Sequence, residues 1–200
     1  MLVKKVIKFL SIASLSFFFI SNSFSIEPKD FVQQTVDKAA KALDQNLSKD
    51  LKISKLKIIA LKAVDIKGIG FYSLGKYRKN ISDQKKEEYL NIFTKYFLKT
   101  FSSRLAQYSD PKIVVNSQKK LNEKYTMVYS TLVATEDKPE VKINWRVVTK
   151  IPDNPLIIDL IIEGVSLAKV QKQEFYSIIQ SNNGDINALF KNLKDFVEKD

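Results

Sequence analysis

Apolar and polar residues alternate strictly through residues 141–147, a pattern that a helix with one apolar face does not produce. Successive side chains of a β-strand point to opposite faces, so the segment predicts a strand with one apolar face and one solvent-exposed face. A sheet built on such a strand buries its apolar face against helices. The predicted apolar face consists of Val141, Ile143, Trp145 and Val147, and the predicted solvent face of Lys142, Asn144 and Arg146.

Neighbouring segments extend this sheet. A strand begins near Ile113, and residues 156–162 are apolar at nearly every position, which indicates a strand covered on both faces. We therefore predict a twisted antiparallel sheet of several strands. The strand before residue 141 repeats the alternation at Tyr125, Met127, Tyr129 and Val133.

Apolar residues recur at helical spacing in the sequence both before and after the predicted strands. Before the sheet, helices are predicted over 28–46, 50–64 and 65–74, and a longer one begins at Ser82, a favourable N-cap. After the sheet, two more helices are predicted, one ending near residue 183 and one over 185–197. This order predicts an α+β fold in which residues 26–200 form a single domain.

The helix after Ser82 carries a stripe of large, mostly aromatic residues. The aromatic stripe and the apolar face of the sheet either pack together as a closed core or leave a cavity between them. Periodicity alone favours the closed core, because every domain needs large apolar residues at core spacing. The stripe consists of Tyr89, Phe93, Tyr96, Phe97, Phe101, Leu105 and Tyr108.

The 200 residues include no cysteine and no histidine, which excludes thiolate nucleophiles, disulfides, Cys/His metal sites and histidine-based triads. Asp159 and Glu163 suggest a carboxylate pair, but four residues of strand separate them by roughly 13 Å, so we assign them structural roles. A serine–lysine or carboxylate mechanism is still open, but the sequence has no nucleophile–base signature. We therefore predict no catalytic residues, no metal, no cofactor and no enzyme.

Residues 1–25 have the features of a secretory signal peptide. Lys4, Lys5 and Lys8 precede an apolar run, and small residues at Ser23 and Ser25 place cleavage after Ser25. An uncleaved membrane anchor is the alternative. We therefore expect an exported protein.

The chain is basic, with a formal charge of +11 that falls to +8 without the three lysines of residues 1–25. Such a charge suits anionic lipid, nucleic acid or an acidic partner. The lysines are interspersed with acidic residues and no nucleic-acid-reading motif is present, so we predict no nucleic-acid partner. A merely solvated, lysine-rich surface is the alternative to a binding role.

Three short motifs in a fixed order carry a family resemblance: Leu74-Gly75-Lys76-Tyr77, the helix after Ser82, and Glu163-Gly164-Val165-Ser166-Leu167. Together they resemble the MlaC or toluene-tolerance family of periplasmic phospholipid-carrying proteins. Asp159 and Phe175 also stand where the family pattern has them. The departures are Arg78 and Pro155, where the family usually has tryptophan, and Glu174, where it usually has glutamine.

The resemblance implies that the N-terminal helices, the sheet and the C-terminal helices enclose an apolar cavity. It implies a periplasmic carrier that moves phospholipid, as cargo, between the outer and inner membranes and supports outer-membrane lipid asymmetry. The implied partners are an inner-membrane ABC transporter with an MCE-type lipid-binding subunit and an outer-membrane lipoprotein–porin complex, with transient contact to the membrane surface.

On this reading, eight residues are predicted to contact the lipid, with Tyr77 at the cavity mouth. For each of the others, packing in an ordinary core is the alternative. The alternative function is that of a basic exported interaction or scaffold protein with a solid core and no lipid cargo. The eight residues are Phe71, Leu74, Tyr77, Phe93, Phe97, Trp145, Val147 and Val165.

Overall fold

The computed structural model describes residues 26–136, 139–150 and 153–199, so the predicted signal peptide and its cleavage site lie outside the described residues. None of the helices within these ranges combines the length and the hydropathy needed to cross a membrane. The helices are α1 (Pro28–Ala42), α2 (Lys49–Ala63), α3 (Ile66–Leu74), α4 (Asp83–Leu105), α5 (Leu167–Ser181) and α6 (Ile186–Glu198), with a 3₁₀ segment at Gly75–Lys79 after α3. The strands are β1 (Ile113–Lys120), β2 (Tyr125–Leu132), β3 (Val141–Val148), β4 (Leu156–Ile162) and β5 (Val165–Ser166).

Side-chain caps set the helix ends that the sequence predicts. The hydroxyl of Ser82 accepts from the backbone N–H of Lys85 and starts α4, and Ser166 starts α5 in the same way. Gly75 follows α3 with a φ of +56°, a left-handed conformation that glycine adopts without a steric penalty. These contacts confirm the predicted α4 N-cap and the predicted C-cap of α3.

The five strands form one antiparallel sheet in sequence order, β1 to β5. A two-residue turn at Glu163-Gly164 joins β4 to β5, and both residues have positive φ, as a type I′ hairpin turn requires. Helices precede and follow the sheet in the chain. The α+β prediction is therefore confirmed.

Both faces of the sheet receive helices. Val128 and Trp145 are direct partners on the face that packs against Val32 and Val36 of α1. Met127 and its partner Arg146 lie on the opposite face, toward α3 and α5. The prediction that one face of β3 meets water therefore holds for Lys142, which is exposed, whereas Asn144 and Arg146 are half-buried.

The aromatic stripe of α4 packs against other helices rather than against the sheet. Tyr89 and Phe93 are completely buried, and Phe93 meets the ring of Phe175 edge-on at 6.0 Å. The Tyr89 hydroxyl donates to the carbonyl of Gly70 in α3 at 2.9 Å, and burial raises the pKa of that hydroxyl. Tyr89, Phe93, Tyr96 and Phe97 therefore lie in a closed core among α3, α4, α5 and α6, whereas Leu105 packs against α1 and α2. The far side of α3 is left to face the sheet.

Candidate functional site

The start of α3 is fixed to the edge of the sheet. Val64 forms a parallel bridge with Ile157 of β4, and the backbone N–H of Asp65 donates to the Ile157 carbonyl at 3.0 Å. The Asp65 carboxylate then accepts from the N–H of Gly68 at 2.8 Å and caps α3. Helix α3 therefore leaves the sheet at a defined point and runs along one of its faces.

A cavity of about 490 Å³ lies between α3 and this face of the sheet, and we call it the α3–sheet cavity. Ligand pockets in proteins span roughly 300–1,000 Å³, so this cavity is large enough to hold part of an organic ligand. The lining side chains come from α3, from the β1–β2 turn, from strands β2 to β4 and from the start of α5. They are Asp65, Gly68, Ile69, Tyr72, Leu121, Tyr125, Arg146, Val148, Ile158, Asp159 and Ala168.

A β-bulge shapes the sheet side of the cavity. Arg146 pairs with Asp159, but the next residue of β3, Val147, pairs with Ile157, so Ile158 is an additional residue in β4. In a regular strand, consecutive side chains would point to opposite faces. The bulge instead lets Ile158 and Asp159 both line the cavity.

A buried carboxylate forms the polar end of the cavity. The side chain of Asp159 is only 2% exposed, and Nη1 of Arg146 lies 3.6 Å from its Oδ2. Asp159 Oδ2 also accepts from the hydroxyl of Ser166 at 2.6 Å, and Oδ1 accepts from the backbone N–H of Ala168 at 3.0 Å. Asp159 therefore holds the first turn of α5, and its oxygens are occupied by internal donors.

The remaining walls are mostly apolar. Ile69 and Ile158 contribute aliphatic side chains, while Tyr72 and Leu121, about two-fifths exposed, lie where the cavity meets solvent. Among the described residues, no group of three or more acidic side chains is arranged to hold a metal ion. This arrangement can take up an apolar chain.

Of the predicted contact residues, five lie on the helical side of the molecule. Leu74 and Phe93 belong to the closed helical core, and Phe97 packs against it. Tyr77 is half-buried beside Tyr176 and accepts a hydrogen bond from the side-chain amide of Gln180. Phe71 lines a smaller pocket of about 300 Å³ at the C-terminal end of α3.

The other three predicted residues lie elsewhere. Val147 is buried and Trp145 half-buried on the α1 face of the sheet, and the indole N–H of Trp145 donates to the Ser130 hydroxyl at 2.8 Å. Val165 is 54% exposed beside the β4–β5 turn. Within the described part of the chain, the structure does not bring the eight residues together around the α3–sheet cavity.

Sequence reasoning did not assign the residues that line the cavity. Tyr125 belonged to a recognised alternating strand, and Ile69 and Tyr72 to a recognised helix. The sequence does not indicate which face of the sheet each helix covers. It also does not indicate the bulge that turns Ile158 toward the cavity. The alternation of β2 was the available signal, because it places Tyr125 opposite the face of Val128.

Comparisons with known proteins show the family of the chain and a solved structure with a similar fold. The model of the family described as "MlaC protein" matches residues 32–195. No curated protein matches the chain in sequence at a significant level. Among solved structures, the phospholipid-binding protein from Ralstonia solanacearum, in complex with a phospholipid, is similar with a TM-score of 0.71 and 18% identity, over 86% of this chain and 97% of that chain. At this identity the likeness shows the fold.

Proposed function

Because the chain belongs to the MlaC family, we propose that it is a periplasmic carrier that binds a phospholipid and moves it between the outer and inner membranes. On this proposal the protein binds and transports its ligand without transforming it. The observation that carries the proposal is the α3–sheet cavity of about 490 Å³, whose walls are mainly aliphatic and aromatic apart from Asp65, Arg146 and Asp159. The similar protein from Ralstonia solanacearum, which shares this fold, was solved with a phospholipid bound.

The energetics of lipid transfer require such a cavity. Each methylene group exposed to water costs about 0.8 kcal/mol, so a sixteen-carbon chain costs on the order of 12 kcal/mol. A carrier offsets this cost by providing apolar walls. The proposed walls are Ile69 and Tyr72 on α3 and Val148 and Ile158 on the sheet, all of which line the cavity.

Three of the lipid contacts predicted from the sequence take supporting roles in this proposal. Leu74, Phe93 and Phe97 pack on the side of α3 away from the cavity and hold the helix in place. Phe71, which lines the smaller pocket at the C-terminal end of α3, and Tyr77, in the 3₁₀ segment that follows, remain proposed lipid contacts.

We place the carrier in an ABC-type lipid transport system. An inner-membrane transporter with an MCE-type subunit would exchange lipid with it on one side of the periplasm, and an outer-membrane lipoprotein–porin complex on the other. The secretory features of residues 1–25 support export to this compartment. The alternative, a scaffold protein with a solid core, predicts that the protein takes up no lipid.

Filling the cavity tests this proposal. In Ile158→Trp the indole would occupy volume between α3 and the sheet, so we expect phospholipid uptake from vesicles to fall at least tenfold. Val114→Trp, on exposed β1 outside the cavity, is the matched control. Lipid bound per protein, measured after separation from vesicles, gives the result. Normal phospholipid uptake by a folded Ile158→Trp variant would contradict the assignment of this cavity as the lipid-binding site.

A further inference from the structure

A second, smaller pocket adjoins the α3–sheet cavity and is strongly basic. Its volume is about 300 Å³, and it lies where α3 passes into the 3₁₀ segment, facing α5. We call it the basic pocket. Four cationic side chains line it together with the rings of Phe71 and Tyr72. They are Lys76, Arg78, Lys79 and Lys172.

The four charges are available for a ligand. No carboxylate is found among the described residues that line the basic pocket. In the described part of the chain, the ion pairs within 4 Å involve other residues than these four cations. All four side chains are exposed, so their charges are kept without a large desolvation cost.

Aromatic rings and a glycine position two of these cations. The Lys76 ammonium lies 5.4 Å from the ring centre of Tyr77 and 5.3 Å from that of Tyr176. The Lys172 ammonium lies 5.0 Å from the ring centre of Tyr72. A Cβ at Gly75 would come within 3.0 Å of the Lys172 side chain, so glycine permits this close approach. Cation–π contacts of this kind restrict long flexible side chains.

The basic pocket and the α3–sheet cavity are neighbours along α3 and α5. Tyr72 lines both. On α5, Ala168 lines the cavity and Lys172, one helical turn later, lines the basic pocket. An amphipathic ligand whose apolar chain lies in the cavity would therefore extend its polar end past Tyr72, along α3 and α5, toward the four cations.

We infer that the basic pocket binds the phosphate of the lipid whose acyl chains occupy the α3–sheet cavity. The inference rests on the proposed carrier function and names the ligand class as a lipid with an anionic phosphodiester headgroup. Lysine and arginine are the side chains that recognise phosphate oxygens, and their hydrogen bonds to phosphate are charge-assisted. Free inorganic phosphate, or the phosphates of a bilayer surface, would use the same chemistry, and the experiment separates these sources.

The test compares two lipids with identical acyl chains, phosphatidylglycerol and diacylglycerol, the second of which lacks phosphate. The protein is expressed as the full chain, purified and stripped of lipid, and its affinity for each lipid is measured. The variant Lys76→Gln/Arg78→Gln/Lys79→Gln removes three charges from the pocket. The control Lys38→Gln/Lys41→Gln/Lys112→Gln removes three exposed charges from elsewhere.

We expect the pocket variant to bind phosphatidylglycerol at least about tenfold more weakly, since each nearby cation adds on the order of 1 kcal/mol of attraction to an anionic lipid surface. Its affinity for diacylglycerol should stay that of the wild type, and the control variant should bind both lipids normally. The conservative variant Lys76→Arg/Lys79→Arg should retain phosphatidylglycerol binding. If the triple variant does not fold, Lys172→Gln on α5 replaces it, with an expected loss of several-fold.

Other outcomes would overturn the inference. Equal loss in the control variant would show a general charge effect, and unchanged phosphatidylglycerol binding in the pocket variant would show that the pocket does not hold the headgroup. Inorganic phosphate binding as tightly as phosphatidylglycerol would assign the pocket to the free ion. Loss of vesicle adsorption with normal lipid loading would assign it to the bilayer surface. A wild-type protein that binds neither lipid would instead reject the proposed carrier function.

Discussion

The buried carboxylate of Asp159 contacts several parts of the fold. It accepts hydrogen bonds from the Ser166 hydroxyl and the Ala168 N–H, and it lies beside the guanidinium of Arg146. It thereby links β3, β4 and the first turn of α5 at the end of the α3–sheet cavity. A charge this deeply buried is tolerated because both of its oxygens have hydrogen-bond donors and a cation lies beside it.

Replacing Asp159 tests that account. Asp159→Asn keeps the shape but removes the charge, so we expect the free energy of unfolding to fall by about 1.5–3 kcal/mol, the typical worth of hydrogen bonds to a charged group. Denaturant unfolding at neutral pH measures the change. Asp153→Asn, at an exposed position in the β3–β4 connection, is the control and should be near neutral. A variant at Asp159 as stable as this control would show that the network contributes little.

At the scale of single elements, the sequence predicted the helices and strands closely because their ends carry explicit chemical signals. Ser82, Ser166 and Gly75 occupy the capping positions that their side chains or backbone freedom suggest. The bulge opposite Arg146 carries no such signal, because it is a shift in the pairing of β3 with β4 and depends on both strands. For that reason the inward orientation of Ile158 could not be read from alternation.

The contact between α3 and α4 provides a prediction at the same scale. A Cβ at Gly70 would lie 2.8 Å from the Phe93 ring, so the two helices meet at glycine. We expect Gly70→Ala to lower the free energy of unfolding by about 1–3 kcal/mol through overpacking, although alanine is intrinsically the better helix former. Ser177→Ala, on the exposed face of α5, is the control and should be neutral or slightly stabilising. A stabilised Gly70→Ala variant would contradict the close approach.

At the scale of the whole molecule, the layer order was predictable and the position of the cavity was not. Helices, sheet and helices in sequence require apolar faces to meet, and the family resemblance places a cavity between sheet and helices. The periodicity of α4 could not reveal that Phe93 packs against Phe175 of α5, or that Trp145 packs toward α1. Those pairings are set by contacts between elements far apart in the chain, so the lining residues emerged only from the three-dimensional arrangement.

Native mass spectrometry of the protein purified from a bacterial periplasm tests the central claim most directly, when followed by extraction and identification of the bound molecule. The account predicts a mass increase equal to bound phospholipid at a defined stoichiometry, which is lost in Ile158→Trp and retained in Val114→Trp. A clean ligand-free mass, together with no uptake of phospholipid from liposomes, would contradict the carrier function and leave the α3–sheet cavity without its proposed ligand.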